Sequence, residues 1–237
     1  MEQRPNEIFT FPRWVDELKP LLGAAALGVP VLATLLVWYG GSPATTDIGY
    51  APEQPVPYSH ALHAGELGID CRYCHNTVEV AAHAAIPPTQ TCMNCHTNIR
   101  GTSPKLAVVR ESNATGMPIP WVRVHDLPDY VYFNHSIHVN KGVGCATCHG
   151  PVNKMPFMYQ ESSMRMEWCL ECHRATEKYL RPRDQVFNMN YEQPSSAHPV
   201  LVAGTQYTDQ VELGTALKSQ YKVRTVEGIT SCNTCHR

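Results

Sequence analysis

Residues 71–75 read Cys71-Arg72-Tyr73-Cys74-His75, and this C-x-x-C-H pattern occurs five times in the chain. The chain has 10 cysteines, and all of them belong to these five segments. The pairs are Cys71/Cys74, Cys92/Cys95, Cys145/Cys148, Cys169/Cys172 and Cys232/Cys235, and the histidines that directly follow them are His75, His96, His149, His173 and His236. C-x-x-C-H is the attachment pattern of c-type haem, in which two thiols on one helical turn form thioethers with the porphyrin and the next histidine binds the iron. The sequence therefore predicts five covalently bound haem c groups with these histidines as proximal iron ligands.

Other uses of paired cysteines explain the pattern less well. Zinc sites use C-x-x-C pairs, but zinc geometry requires neither a histidine directly after each pair nor an odd number of pairs. A thioredoxin-like redox site has one such pair. A disulfide framework gives no reason for the histidines. Haem attachment is the interpretation that accounts for both residue types.

The overall composition narrows the class of protein. The 237 residues carry a formal net charge of −2, so the chain lacks the basic surface that binds nucleic acid. Charged residues make up 17%, below the roughly 25% of an ordinary soluble domain, and the 19 prolines favour loops. The predicted fold is mainly α with extensive loops and little sheet, wrapped around five haems and preceded by a single transmembrane helix. Short strands are expected at 200–202 and 221–223.

An apolar segment near the N-terminus, residues 21–39, contains no charged side chain. As a helix it would be about 28 Å long, close to the ~30 Å thickness of a bilayer's hydrocarbon core. The basic residues before it are Arg4, Arg13 and Lys19, and the next one is Arg72. Because positive charges favour the cytoplasmic side, this pattern predicts a single-pass anchor with the haem-bearing part on the periplasmic face of a bacterial inner membrane.

The segments on either side of the predicted anchor complete the expected domain organisation. Residues 1–20 are expected to be cytoplasmic or interfacial, and the proline-rich residues 40–57 to be a tether leading to a haem domain at 58–237. A cleaved signal peptide is the alternative to an anchor, but the apolar segment is long for one.

An internal repeat organises the haem sites. Tyr58-Ser59-His60-Ala61-Leu62-His63 precedes Cys71, and Phe133-Asn134-His135-Ser136-Ile137-His138 precedes Cys145. Both segments read aromatic-x-His-x-x-His, and a second attachment site follows each of them. The repeat predicts two dihaem units, 58–96 and 133–173, with the fifth haem site added at 232–236.

The distal iron ligands have to come from the remaining histidines or from methionine. We expect the four histidines of the repeat to serve, because residues at i and i+3 of a helix face one side and can reach two different irons. These four are His60, His63, His135 and His138. Met166 is the preferred methionine, for the fourth haem or a neighbour, since a thioether ligand raises the haem potential. Further candidates are His83, His125 and His198, with a surface or hydrogen-bonded role favoured for the last two.

The paired histidines resemble those of the class III multihaem cytochromes. In that family the first histidine is the distal ligand of the haem that follows, and the second reaches a different haem. The resemblance implies that His60 serves the Cys71 haem and His135 the Cys145 haem. It leaves the haems of His63 and His138 unassigned.

Longer stretches resemble the pentahaem, membrane-anchored cytochrome c subunit of bacterial alternative complex III. The resemblance is carried by residues 120–139, by 83–88 before the second site and by 166–168 before the fourth. It implies a place in a respiratory quinol:acceptor oxidoreductase. The implied partners are an iron–sulfur subunit and polytopic quinol-oxidising membrane subunits on the donor side, and a monohaem cytochrome c or soluble electron carrier on the acceptor side.

With every iron closed on both sides, the chain is expected to transfer electrons and to have no catalytic residues of its own. The alternative is a stand-alone membrane-anchored multihaem quinol dehydrogenase that feeds periplasmic reductases. A multihaem reductase is a weaker third possibility, because such an enzyme needs an open iron and often an altered motif, whereas all five motifs here end in histidine.

Overall fold

The computed structural model describes residues 11–236. The first half of the predicted N-terminal segment, with Arg4, lies outside the described residues. The chain divides into two compact units, the first ending at Thr46 and the second beginning at Asp47.

The first unit is built on one long helix. α1 (Trp14–Gly40) contains the whole uncharged segment 21–39 and includes two prolines, and α2 (Pro43–Thr46) follows. The helix buries none of its residues within the structure. By length and composition, α1 is long and apolar enough to cross a membrane.

The second unit consists of short helices joined by loops. One helix has the wider π geometry and spans Ala61–Glu66. The α-helices are α3 (Cys71–Cys74), α4 (Thr89–His96), α5 (Ala107–Thr115), α6 (His135–Asn140), α7 (Cys145–His149), α8 (Met166–Arg174), α9 (Gln210–Gln220), α10 (Val226–Ile229) and α11 (Cys232–Cys235). The 3-10 helices are Pro104–Leu106, Val152–Lys154, Thr176–Lys178 and Arg183–Gln185.

The sheet content of the described residues is one antiparallel hairpin, β1 (Val200–Val202) with β2 (Thr205–Tyr207). Ala203 and Gly204 between them both have positive φ, as a tight two-residue hairpin turn requires. The predicted fold class, mainly helical with little sheet, is confirmed. The expectation of a strand at 221–223 was wrong, because Tyr221 follows directly on α9 and Lys222 has a φ of 51°, which breaks an extended run.

Buried apolar side chains of the second unit form two clusters. The first consists of Leu180, Leu213, Leu217 and Tyr221, and the second of Val78, Val139 and Val186. The second cluster also packs against Cys145 of the third attachment site. The core therefore supports the helix that carries that site.

Two glycines allow backbones to approach closely. A Cβ at Gly214 of α9 would overlap the backbone of Glu177, and a Cβ at Gly65 would overlap the carbonyl group of Asn153. The second contact packs the π helix of the first repeat against the 3-10 helix that lies just beyond the third site. Both close packings require the absence of a side chain.

Part of the segment expected as a tether is held against the rest of the second unit. The backbone N–H of Gly49 donates to the carbonyl of Gln160 (2.8 Å), and the N–H of Gln160 donates to the carbonyl of Tyr50 (3.0 Å). The side-chain amide of Gln54 pairs with both backbone groups of Val122 (2.8 and 3.0 Å). Residues 49–54 are thus bonded to loops of the haem-bearing part of the sequence.

Candidate haem-binding site

Each of the five C-x-x-C-H segments forms a helical turn. α3 and α11 span the two cysteines of their segments, and α4, α7 and α8 include the following histidine as well. A helical turn places residues i and i+3 on one side, so the two thiols of each pair lie on one side of the helix. None of the ten cysteines, all within the described residues, forms a disulfide.

Two of the predicted attachment cysteines differ from the other eight in exposure. Cys95 and Cys232 are exposed, whereas the others are partly buried. Cys95 lies near the end of α4, a helix that buries none of its residues within the described part of the chain. Attachment of haem through all ten thiols stays a prediction.

Hydrogen bonds distinguish the two ring nitrogens of most proximal histidines. In four of the five rings Nδ1 donates to a backbone carbonyl: His75 to Ala85 (2.8 Å), His96 to Ile99 (2.9 Å), His173 to Ile229 (2.8 Å) and His236 to Tyr130 (3.2 Å). Metal-binding histidines usually donate their second ring N–H in this way, which fixes the tautomer and the ring orientation. The bonds leave Nε2 of each ring available for iron.

His149, the fifth proximal histidine, has a different partner. Its Nδ1 lies 3.4 Å from Nε2 of His125, and the two ring centres are 4.5 Å apart with planes at 85°. Burial, and then the neighbouring histidines, lower the pKa of His149 to about 3, so its imidazole is neutral at physiological pH. A neutral imidazole is the form that binds metal.

Three of the repeat histidines face a proximal histidine at nearly the same distance. The ring centres of His63 and His96 are 6.2 Å apart, those of His135 and His149 are 6.3 Å apart, and those of His138 and His173 are 6.1 Å apart. Metal–imidazole bonds of about 2 Å on both sides of an iron, with each nitrogen about 1 Å from its ring centre, require roughly 6 Å between ring centres. The three separations therefore fit an iron held between two imidazoles.

The fourth repeat histidine, His60, lies near His75. Burial and then the charge of His75 lower the pKa of His60 to about 4. Nδ1 of His60 is buried and has no hydrogen-bond partner. The structure thus brings the first histidine of each repeat near the proximal histidine of the attachment site that follows it.

The sequence repeat is also a repeat of ring geometry. Tyr58 stacks on His63 (4.4 Å, 22°) as Phe133 stacks on His138 (4.6 Å, 23°). The same two aromatic rings meet the first histidine edge to face, Tyr58 with His60 at 84° and Phe133 with His135 at 90°. In both units Nδ1 of the second histidine donates to the carbonyl four residues earlier, at 2.8 and 2.7 Å. The aromatic residue of the motif therefore positions both histidines.

The fifth attachment site has other surroundings. The ring of Tyr130 lies 5.7 Å from that of His236, tilted by 36°. Within residues 11–236, no histidine ring lies beside His236 at the separation seen in the three pairs. Met166 is exposed at the start of α8.

The three further candidates for distal iron ligands, His83, His125 and His198, lie in different surroundings. His198 is exposed and pairs with Glu192 at 3.5 Å. His83 is exposed, and its electrostatic influence helps to lower the pKa of His135. His125 lies at the Nδ1 side of His149, away from the nitrogen that is free for iron.

The donor set fits haem c better than a bare metal ion. Among residues 11–236, no group of three or more His, Cys, Asp or Glu side chains converges as a metal site would. Burial raises the pKa of Cys145 and Cys172 to about 11 and that of Cys148 to about 12, which disfavours the thiolate form. Zinc, by contrast, requires thiolates converging from four ligands.

Sequence reasoning identified the histidines of the three facing pairs but left the partners of His63 and His138 open. It also missed the carbonyl acceptors and the contact between His125 and His149. No sequence signal marks a carbonyl acceptor, since every residue has a carbonyl. These partners become visible only when the loops between the sites are placed.

The short helices, the small amount of sheet and the five attachment segments agree with the expected multihaem cytochrome c domain. Residues 131–237 match the family described as cytochrome c7 and related cytochrome c. The chain is also 29% identical over 180 residues to the menaquinone reductase, multiheme cytochrome c subunit, of Nitratidesulfovibrio vulgaris. That alignment covers 67% of this chain and 84% of the relative.

Proposed function

We propose that this protein is the electron-transfer subunit of a membrane quinone-linked oxidoreductase and carries five haem c groups. The observation that supports this proposal most strongly is the set of three histidine pairs whose ring centres lie 6.1–6.3 Å apart. When bound, haem c supplies one-electron oxidation and reduction. The paired imidazoles would close three of the irons against substrate, and His60 and Met166 are proposed for the other two, so the chain would relay electrons and catalyse no further reaction.

The axial ligands follow from the pairs. His63 serves the second site with His96, His135 the third with His149, and His138 the fourth with His173. His60 serves the first site, supported by its proximity to His75. His60 and the π helix that follows it supply histidines to two different sites, and so does α6, which fixes the spacing between neighbouring haems.

The fifth site takes Met166 as its sixth ligand. The fourth site already has His138, so Met166 is free to serve a neighbour. Cys169, one turn after Met166 on α8, is close enough to Cys235 of the fifth site for Cys235 to contribute to the raised pKa of Cys169. A thioether there gives the fifth haem a higher potential than the bis-histidine haems.

The first unit anchors the protein in the membrane. α1 has the length and composition of a membrane span, and Arg13 and Lys19 lie at its N-terminal end. With cytoplasmic basic residues, the second unit lies on the periplasmic side of a bacterial inner membrane.

The partners are the other subunits of the complex. The resemblance to the alternative complex III subunit and the similarity to a menaquinone reductase subunit both favour quinone chemistry in a separate membrane subunit. On this proposal electrons enter from an iron–sulfur subunit and leave to a monohaem cytochrome c or soluble carrier. A stand-alone quinol dehydrogenase is the competing function.

The test is purification of the tagged full chain from its native membranes in mild detergent. We expect five covalent haems per chain from the pyridine haemochrome assay, low-spin resonances, and co-purification of iron–sulfur and polytopic subunits. A matched C232A/C235A variant should contain four haems. Quinol oxidation by the isolated chain, or carbon monoxide binding at most of its haems, would overturn the proposal.

A further inference from the structure

The third site differs from the other four in the group that accepts the second ring N–H of its proximal histidine. His75, His96, His173 and His236 donate to backbone carbonyls at 2.8–3.2 Å. His149 instead has the imidazole of His125 at its Nδ1, 3.4 Å away. At the third site, the side chain of His125 therefore takes the place of the backbone carbonyl that accepts the Nδ1–H hydrogen bond at the other four sites.

The direction of this hydrogen bond follows from the ligand role of His149. The proposed function assigns its Nε2 to iron, so the proton of the neutral ring is on Nδ1. Nδ1–H then donates, and Nε2 of His125 accepts with its lone pair. His125 carries its own proton on Nδ1.

The loop that carries His125 is held at two places. Three residues earlier, Val122 is bonded through both backbone groups to the side chain of Gln54. The guanidinium of Arg123 donates to Asp126 at 2.7 Å, which bridges position 125. His125 itself is partly buried, with its ring nearly perpendicular to that of His149. The acceptor is therefore positioned by contacts that do not involve the third site.

We propose that His125 is a positioning residue of the third haem site, which fixes the ring of His149 and makes it a more electron-donating iron ligand. The inference rests on the proposed function. An imidazole nitrogen is a stronger base than an amide carbonyl oxygen, so it draws the Nδ1 proton of His149 more strongly. A more electron-rich ligand stabilises ferric iron, and hydrogen bonding in this outer shell is one of the levers by which proteins set haem potentials. His125 thus lowers the potential of the third haem.

The ring geometry supports an orienting role as well. The planes of His149 and His135 are 6° apart, whereas the other two pairs are at 65° and 27°. The angle between the two axial imidazole planes governs the paramagnetic resonance of a low-spin haem. Releasing the ring of His149 should therefore change one of the five resonances.

The test uses the full-length holoprotein and its H125L and H125Q variants, with H198L as the control at an exposed histidine. In H125L we expect five haems, a positive shift of one midpoint potential in a redox titration, and a change in the g-values of one low-spin component. In H125Q the amide oxygen restores an acceptor like those of the other four sites, so the shift should be smaller than in H125L. H198L should leave all five potentials unchanged.

Three results would overturn the inference. Unchanged potentials and g-values in H125L would show that His125 does not act on His149. A carbon-monoxide-binding haem in H125L would show that His125 is itself an iron ligand. A shift in H125Q as large as that in H125L would exclude the acceptor role. H125Q alone remains decisive if H125L does not accumulate, since an amide oxygen is a weaker acceptor than an imidazole and unchanged midpoint potentials there would count against the inference. Failure of the proposed function is distinguishable, since it would appear as a wrong haem count or absent partners in the unmutated protein.

Discussion

The rings of His138 and His173 lie 6.1 Å apart, centre to centre, with their planes 27° apart. His138 is on α6 and His173 on α8, so the pair joins the two halves of the second repeat unit. α6 also carries His135, whose ring faces His149 of α7. One helix of six residues thus supplies an imidazole to two adjacent sites.

The first prediction concerns this pair. Replacing His138 by leucine removes one axial ligand of the fourth site and leaves its iron open on one side. We expect carbon monoxide to bind one of the five reduced haems in H138L, measured from the difference spectrum. The H63L/H138L double variant should bind at two haems, because the two histidines serve different sites.

The control is H198L, which alters an exposed histidine paired with Glu192. It should bind no more carbon monoxide than the unmutated protein. If H138L also retained five closed haems, the assignment of His138 to an iron would be wrong.

The second prediction separates a thioether ligand from a packing methionine at position 166. M166H should convert the fifth site to bis-histidine ligation and lower one midpoint potential, while M166L should open one iron to carbon monoxide. A redox titration of each variant measures the midpoint potentials, and the difference spectrum measures carbon monoxide binding. M117L, at an exposed methionine outside the attachment segments, serves as control. Identical potentials in all three variants would leave Met166 without a ligand role.

A feature of this structure could be predicted from the sequence when the interacting residues are close together along the chain. The attachment helices were predictable because the two thiols and the histidine lie within one helical turn, such as Cys145–His149. The stacking of Tyr58 and Phe133 on the repeat histidines is equally local, and the repeated aromatic-x-His-x-x-His pattern is its only sequence signal. Features confined to a few residues are fixed by spacing alone.

The pairing of histidine rings that are far apart in the sequence was harder to predict. Facing His63 with His96 requires the segment from 64 to 88 to fold back, and no spacing rule determines that path. The contact of His125 with His149 depends on a loop held by Gln54, far away in the sequence.

Burial is another property that spacing does not determine. The exposure of Cys95 depends on what packs against α4, and the motif around it is the same as at the partly buried sites. The incorrect strand at 221–223 has a related cause, because burial of Tyr221 against Leu213 and Leu217 favours the end of α9 over an extended segment.

The third prediction tests the close packing of α9. G214A introduces a methyl group into the backbone of Glu177, and the overlap must be relieved by moving α9 or the 3-10 helix at Thr176–Lys178. Overpacking of this kind costs about 1–3 kcal/mol, so the unfolding midpoint should fall. The measurement is chemical denaturation of the holoprotein.

The matched control is G228A on α10, where the added Cβ would be 3.5 Å from the Thr225 hydroxyl, an ordinary contact. This variant should be at least as stable as the unmutated protein, since alanine favours helix more than glycine does. Equal stabilities of G214A and G228A would show that α9 does not pack on Glu177 as described.

The last prediction concerns pH and the ion pair between Glu177 and Lys218, whose charged atoms are 3.3 Å apart. A hydrogen bond from its own backbone N–H, together with Lys218, holds the pKa of Glu177 below its ordinary value of 4.5. The carboxylate therefore stabilises the fold fully above pH 4.5, and this contribution is lost as the pH falls through the lowered pKa.

Because solvent reaches both side chains, the pair is worth at most about 1 kcal/mol. We expect E177Q to be less stable than the unmutated protein at pH 7 by about this amount, and the difference to shrink as the pH is lowered below 4.5. Denaturation at a series of pH values, with K218M and the double variant completing the cycle, measures the coupling directly. A deficit in E177Q that stayed constant over the whole acid range would assign its effect to lost packing on α9, because a charge interaction must vanish once the carboxylate is protonated.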